Sequence, residues 1–170
     1  MLGVVLLYVG VVLILNGIAR LCNIDQKSMA VFNVFTGVLS FVINIIAVVQ
    51  GEYFAAGTGL LFGFTYLFIA ARCLFNLDGR LYGWYCLFVA INTIPLAFID
   101  STTFKFIDFT VGNIYWVIIW ILWGLLWLTS FIELVMKKEL GKFVGYLSVI
   151  DGIFTAWIPG FLLLINMFPK

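Results

Sequence analysis

Residues 116–127 read WVIIWILWGLLW, with tryptophan at positions 116, 120, 123 and 127. At about 100° per residue the four indoles fall in a stripe roughly 60° wide, and at about 1.5 Å per residue that stripe climbs about 16 Å. No charge interrupts it. Tryptophans of membrane helices usually gather at the two water interfaces, so a ladder of indoles running along the axis calls for another explanation.

Working outward, the whole chain has the composition of a bilayer protein. Its 170 residues are 65% hydrophobic and 10% charged, with a mean hydropathy of +1.20. Soluble domains are about half apolar and a quarter charged. Six stretches reach the 17 or more largely apolar residues that a hydrocarbon core of about 30 Å demands: 2–19, 29–49, 55–74, 81–99, 112–135 and 143–168. The expected fold is an all-α integral membrane protein, one six-helix domain over residues 1–170. The N-terminal run lacks a basic leader and a clear cleavage site, so it is read as the first helix.

Basic residues set the expected orientation. Arg20, Lys27, Arg72, Arg80, Lys137, Lys138 and Lys142 share one set of loops, whereas Lys105 and Lys170 lie opposite. The positive-inside rule then places both termini outside. Cys22, Cys73 and Cys86 fall toward the cytoplasmic side, where a disulfide is not expected. A net charge of +1 without a basic cluster gives no footprint for nucleic acid.

An internal repeat is visible. LCNIDQKS (21–28) and LFNLDGRL (74–81) match at an offset of 53, and a looser third copy, MKKELGKF, follows at a further 61 or 62. The chain reads as three helical hairpins. These offsets superpose Val9 and Leu13 on Phe62 and Tyr66, then on Trp123 and Trp127. Leu2, Leu6, Val9 and Leu13 also repeat the spacing of the indole stripe. Two readings of these positions stand side by side, a bundle core and a slot lined by flat rings. Close packing of membrane helices favours small residues, and stacked indoles would hold backbones apart.

Ionisable residues inside a bilayer are costly and usually face a cavity or a partner. Glu133 lies four residues before Lys137, the spacing of a helical ion pair. Asp151 lies about 12 Å along helix 6 from its start, with no basic residue one turn away; it is expected to face the pore, with Asn44 or Asn92 as alternative structural partners. Gly59 and Gly63 suggest close helix packing, Pro95 and Pro159 kinks, and Trp84 an interfacial anchor. The absence of histidine removes imidazole-based proton relays, zinc sites and Ser-His-Asp catalysis. No enzyme, metal site or cofactor is expected.

Six segments, MLGVVLLYVG, GLLFGFTYLF, WYCLFVAINTIP, IIWILWGLLWLTSFIE, LGKF and GIFTAWIP, resemble the AmiS/UreI family of urea and short-chain amide channels. The resemblance runs through nearly the entire chain. It implies a homohexameric ring in the bacterial cytoplasmic membrane, with one pore per protomer and a urease or amidase consuming the delivered solute. It also implies pore-lining positions at Leu2, Leu6, Val9, Leu13, Phe62, Tyr66, Trp116, Trp120, Trp123, Leu126 and Trp127, with Asp151 as the acidic pore residue. Asp151 departs from the acid-activated relative, which has glutamate there. Acid-gated relatives carry a long outer loop and outer histidines, both missing here, so an ungated passive urea channel is expected. A channel for acetamide-like amides, a proton-coupled carrier using Asp151 and Glu133, and a non-transporting scaffold are the competing readings.

Overall fold

A computed structural model describes residues 1–100, 103 and 105–169, so Lys170 lies outside the described residues. Its helices are α1 (Leu2–Leu21), α2 (Gln26–Val49), α3 (Tyr53–Phe75), α4 (Gly79–Phe98) and α5 (Val111–Leu134). The sixth span is composite: α6 (Phe143–Asp151), a π-helical turn (Gly152–Trp157) and α7 (Ile158–Leu164). All six spans are long and apolar enough to cross a membrane, which makes this a multi-pass membrane protein.

The repeated loop motif has a mechanical role at each copy. Asn23 and Asn76 take left-handed conformations, with φ of 53° and 52°, just past α1 and α3. Asparagine tolerates that region and so ends a helix. Two residues later an aspartate caps the next helix, Asp25 accepting the Ser28 N–H and Asp78 the Arg80 N–H. These caps start α2 and α4 earlier than hydrophobicity alone suggests, because an N-cap satisfies donors that a helix start leaves open. In the third copy Lys137 takes the left-handed position, with φ of 57°.

That conformation overturns the expected Glu133–Lys137 pair. Helix α5 ends at Leu134, so Lys137 is not one turn on along a helix. Glu133 instead meets Arg20, which reaches it from α1 through both guanidinium nitrogens.

Packing follows the repeat, but between hairpins more than within them. The tightest pairs are α2 with α3, α4 with α5, and the sixth span with α1. Each is joined at an equivalent glycine of the odd helix. A Cβ added at Gly10 would meet Trp157, one at Gly63 would meet Ser40, and one at Gly124 would meet Thr93. On the even helices, offsets of 53 and 62 relate Asn33, Cys86 and Ser148; Thr36, Val89 and Asp151; and Ser40, Thr93 and Thr155, all buried. Three equivalent two-helix units thus share one core.

The pair formed by α1 and the sixth span shows how the backbone meets this requirement. Gly3, Gly10 and Gly17 recur every seven residues on α1 and lie against Gly160, Trp157 and Gly145 respectively. On the facing span Gly145 and Gly152 are seven apart, but Gly152 and Gly160 are eight. The π turn accommodates the additional residue, since its hydrogen bonds reach one residue further than those of an α-helix. It also delivers the chain to Pro159, which has no N–H to donate.

Candidate permeation site

Two cavities enter the helix bundle from opposite ends. One, of about 620 Å³, opens at the end carrying Met1, Glu52 and Asp100. The other, of about 480 Å³, opens at the basic end among Arg20, Arg72 and Glu133. Phe62 and Trp123 belong to the walls of both.

The cavities meet at an aromatic collar. The Phe62 ring centroid stands 4.6 Å from Trp123 and 4.9 Å from Trp127, with Trp120 at 6.0 Å. Trp120 and Trp123 meet edge to face, 5.2 Å apart. These separations lie within the range of attractive edge and tilted ring contacts. The collar is therefore self-supporting, with α5 supplying the indoles and α3 the phenyl ring.

Hydrogen bonds fix the two innermost indoles. Trp123 Nε1–H donates to Thr155 Oγ1 at 2.7 Å, and that hydroxyl donates to the Asp151 carbonyl at 2.5 Å. Trp127 Nε1–H donates to Thr65 Oγ1 at 3.1 Å, and Thr65 donates to the Leu61 carbonyl at 2.7 Å. A hydroxyl has one proton and two lone pairs, so each threonine holds an indole and anchors itself at once. The N–H groups of these two indoles are therefore taken up within the protein, and only their ring surfaces are left uncommitted. Trp116 and Trp120 on the first cavity, and the Tyr66 hydroxyl on the second, form no hydrogen bond among the described residues and retain their donors.

The stripe residues are brought together in order. Leu2, Leu6, Val9, Trp116 and Trp120 line the cavity at the Met1 end, and Leu13, Tyr66, Leu126 and Trp127 line the basic-end cavity. Asp151 is among the lining residues of neither. It is completely buried at the start of the π turn, and neither of its carboxylate oxygens has a hydrogen-bond partner among the described residues. Neither asparagine offered as its partner serves it. Asn44 donates to the Ser40 carbonyl and Asn92 to the Phe88 carbonyl, each within its own helix.

Several contributors escaped sequence reasoning. Thr65 and Thr155 sit singly in apolar spans, with no local sign that they bond tryptophans 62 and 32 residues away. Asn16 and Asn33 exchange amide hydrogen bonds of 3.1 and 2.7 Å between α1 and α2 at the basic-end cavity. Arg20 binds Glu133 and, through Nε, the Gly141 carbonyl at 2.9 Å. The Leu140 N–H completes this clamp by donating to Glu133 at 3.1 Å.

Comparison with known proteins matches this arrangement over almost its full length. The acid-activated urea channel of Helicobacter pylori is 47% identical, with 98% of each chain aligned. A putative amidate substrates transporter protein of Mycolicibacterium smegmatis is 36% identical over 95% of this chain and 75% of its own. The crystal structure of the Helicobacter pylori urea channel superposes with a TM-score of 0.87 at 48% identity, covering 99% of both chains. The AmiS/UreI family transporter description matches residues 1–167. The chain belongs to the AmiS/UreI family, and the relatives it matches are described as channels and transporters rather than enzymes.

Proposed function

We propose that this protein is a passive, urea-selective channel that conducts urea down its gradient into the cytoplasm and is not gated by acid. The observation that carries the reading is the collar of Phe62, Trp120, Trp123 and Trp127 between two cavities. Urea is flat and uncharged, and crosses lipid poorly because it loses hydrogen bonds to water. Trp116, and Trp120 at the collar's edge, donate to its carbonyl oxygen from the Met1-end cavity, and Tyr66 from the basic-end cavity. Between them its N–H groups meet indole faces, a weak contact that lets the solute leave. An ion on the same path loses its hydration without replacement, at a cost far above that for a neutral group.

The same reading takes the twelve positions above as the functional set: eleven line the two cavities, and Asp151, buried at the start of the π turn, is the twelfth. It places the protein in the bacterial cytoplasmic membrane as a homohexamer of single-domain protomers, each with its own pore and both termini outside. A cytosolic urease or amidase is the consumer of the solute. The kinship to an amidate transporter favours short-chain amides as the second substrate class.

Stopped-flow shrinkage of vesicles containing purified protein tests these readings. Urea permeability is expected to exceed that of protein-free vesicles at least tenfold, with acetamide slower and thiourea slowest. Acetamide outrunning urea would make this an amide channel. Trp123→Ala and Trp127→Ala are expected to change the flux and the ranking of the three solutes; unchanged values for both would mark the stripe as scaffolding.

A further inference from the structure

The aromatic collar is a good barrier to most ions but a poor one to guanidinium, the cation that copies urea's shape. Guanidinium is planar and delocalised, is more weakly hydrated than an ammonium, and stacks on aromatic faces. An indole-lined slot therefore attracts it. Discrimination between urea and this cation has to come from fixed charge.

The charges on the basic-end cavity are Arg20, Arg72 and Glu133. Glu133 is bound by Arg20 through both guanidinium nitrogens and by the Leu140 N–H. Its charge is thereby matched. Arg72 comes from α3 and stands over the Tyr82 ring, 5.5 Å from its centroid, beside Gly79. Among the described residues it forms no ion pair, and its Nε is buried without an acceptor. Asp78 is paired with Arg80 and Asp25 caps α2 through the Ser28 N–H; neither lines the cavity or forms an ion pair with Arg72. Of the three charges that line the cavity, only that of Arg72 thus has no ion-pair partner among the described residues.

Resting on the urea reading, we infer that Arg72 is a specificity-determining residue, whose unmatched charge rejects guanidinium and similar flat cations while neutral urea passes. A unit charge acting across a partly aqueous cavity is strong enough for a discrimination of about tenfold or more. The arginine itself needs no contact with urea.

Proteoliposomes holding the wild-type protein, Arg72→Gln or Arg72→Lys test this by paired measurement of urea flux and radiolabelled guanidinium uptake. The guanidinium-to-urea ratio is expected to rise at least tenfold in R72Q and to stay near the wild-type value in R72K, which keeps the charge. Urea flux in each variant reports its folding. In wild-type protein, raising the ionic strength from 0.01 to 1 M with an impermeant salt is expected to raise the ratio several-fold by screening the cavity charge; this arm stands even where R72Q does not fold. Urea passage with an R72Q ratio equal to wild type, an R72K ratio as high as that of R72Q, or a salt-independent ratio would overturn the inference alone. A wild-type protein that passes no urea would instead bring down the urea reading and this one with it.

Discussion

Threonine is the residue that fixes the aromatic collar. The indole stripe follows from the positions of Trp116, Trp120, Trp123 and Trp127 alone, but which indole N–H groups are tied up depends on Thr65 and Thr155, which come from other helices. Sequence periodicity reports which face a side chain occupies and nothing about a partner 32 or 62 residues away. The same limit misdirected Glu133, whose partner Arg20 lies 113 residues earlier. Thr155→Val keeps the shape and removes the hydroxyl, leaving the Trp123 N–H buried without an acceptor, a loss of about 1–3 kcal/mol. Its unfolding midpoint in detergent is expected to fall, while Thr155→Ser stays near wild type. Equal midpoints for the two variants would show that the bond does not hold the collar.

Helices were legible to within a few residues, because length and apolarity in a bilayer leave few alternatives. Their ends moved where polar capping at Asp25 and Asp78 took over from hydrophobicity. The π turn was not legible, since nothing in GIFTAW differs in composition from an α-helical segment. Its trace was nevertheless in the glycine spacing, seven residues throughout α1 but eight between Gly152 and Gly160. A methyl group at Gly10 would come within 2.5 Å of the Trp157 backbone nitrogen, whereas one at Gly57 meets nothing within 4 Å. Gly10→Ala is therefore expected to destabilise by about 1–3 kcal/mol through overpacking. Gly57→Ala should stabilise by up to about 1 kcal/mol through helix propensity. Thermal unfolding of both in one detergent checks the contrast in sign.

Across the whole molecule, the offsets of 53 and 61 or 62 read from the loop motifs organise the core, including the equivalent glycines and the equivalent buried positions of the even helices. What the offset could not show is that pairing runs from each even helix to the next odd one, closing from the sixth span to α1. Response to pH also belongs at this scale. The chain has no histidine. Outside the spans, Asp78 is pushed down to about 2, chiefly by its side-chain hydrogen bond from Arg80. A depressed carboxyl contributes stability that is complete above its ordinary value of 3.8 and lost as pH falls through about 2, so Asp78 does not switch between pH 5 and 7.5. The Helicobacter relative aligns over 193 positions against the 170 residues of this chain, so it carries insertions absent here. Urea flux in proteoliposomes is expected to change less than twofold between pH 7.5 and 5, and a several-fold rise would refute the ungated reading.

Closure of the sixth span onto α1 has a consequence for biogenesis. The ribosome delivers helices in order, so α1 enters the bilayer five spans ahead of its mate, its glycine groove still facing lipid. Assembly of that unit cannot be local, in contrast with the pairs α2–α3 and α4–α5, whose members are synthesised back to back. A nascent protein halted after α5 would hold two finished units and an α1 that touches α2 but lacks its main partner.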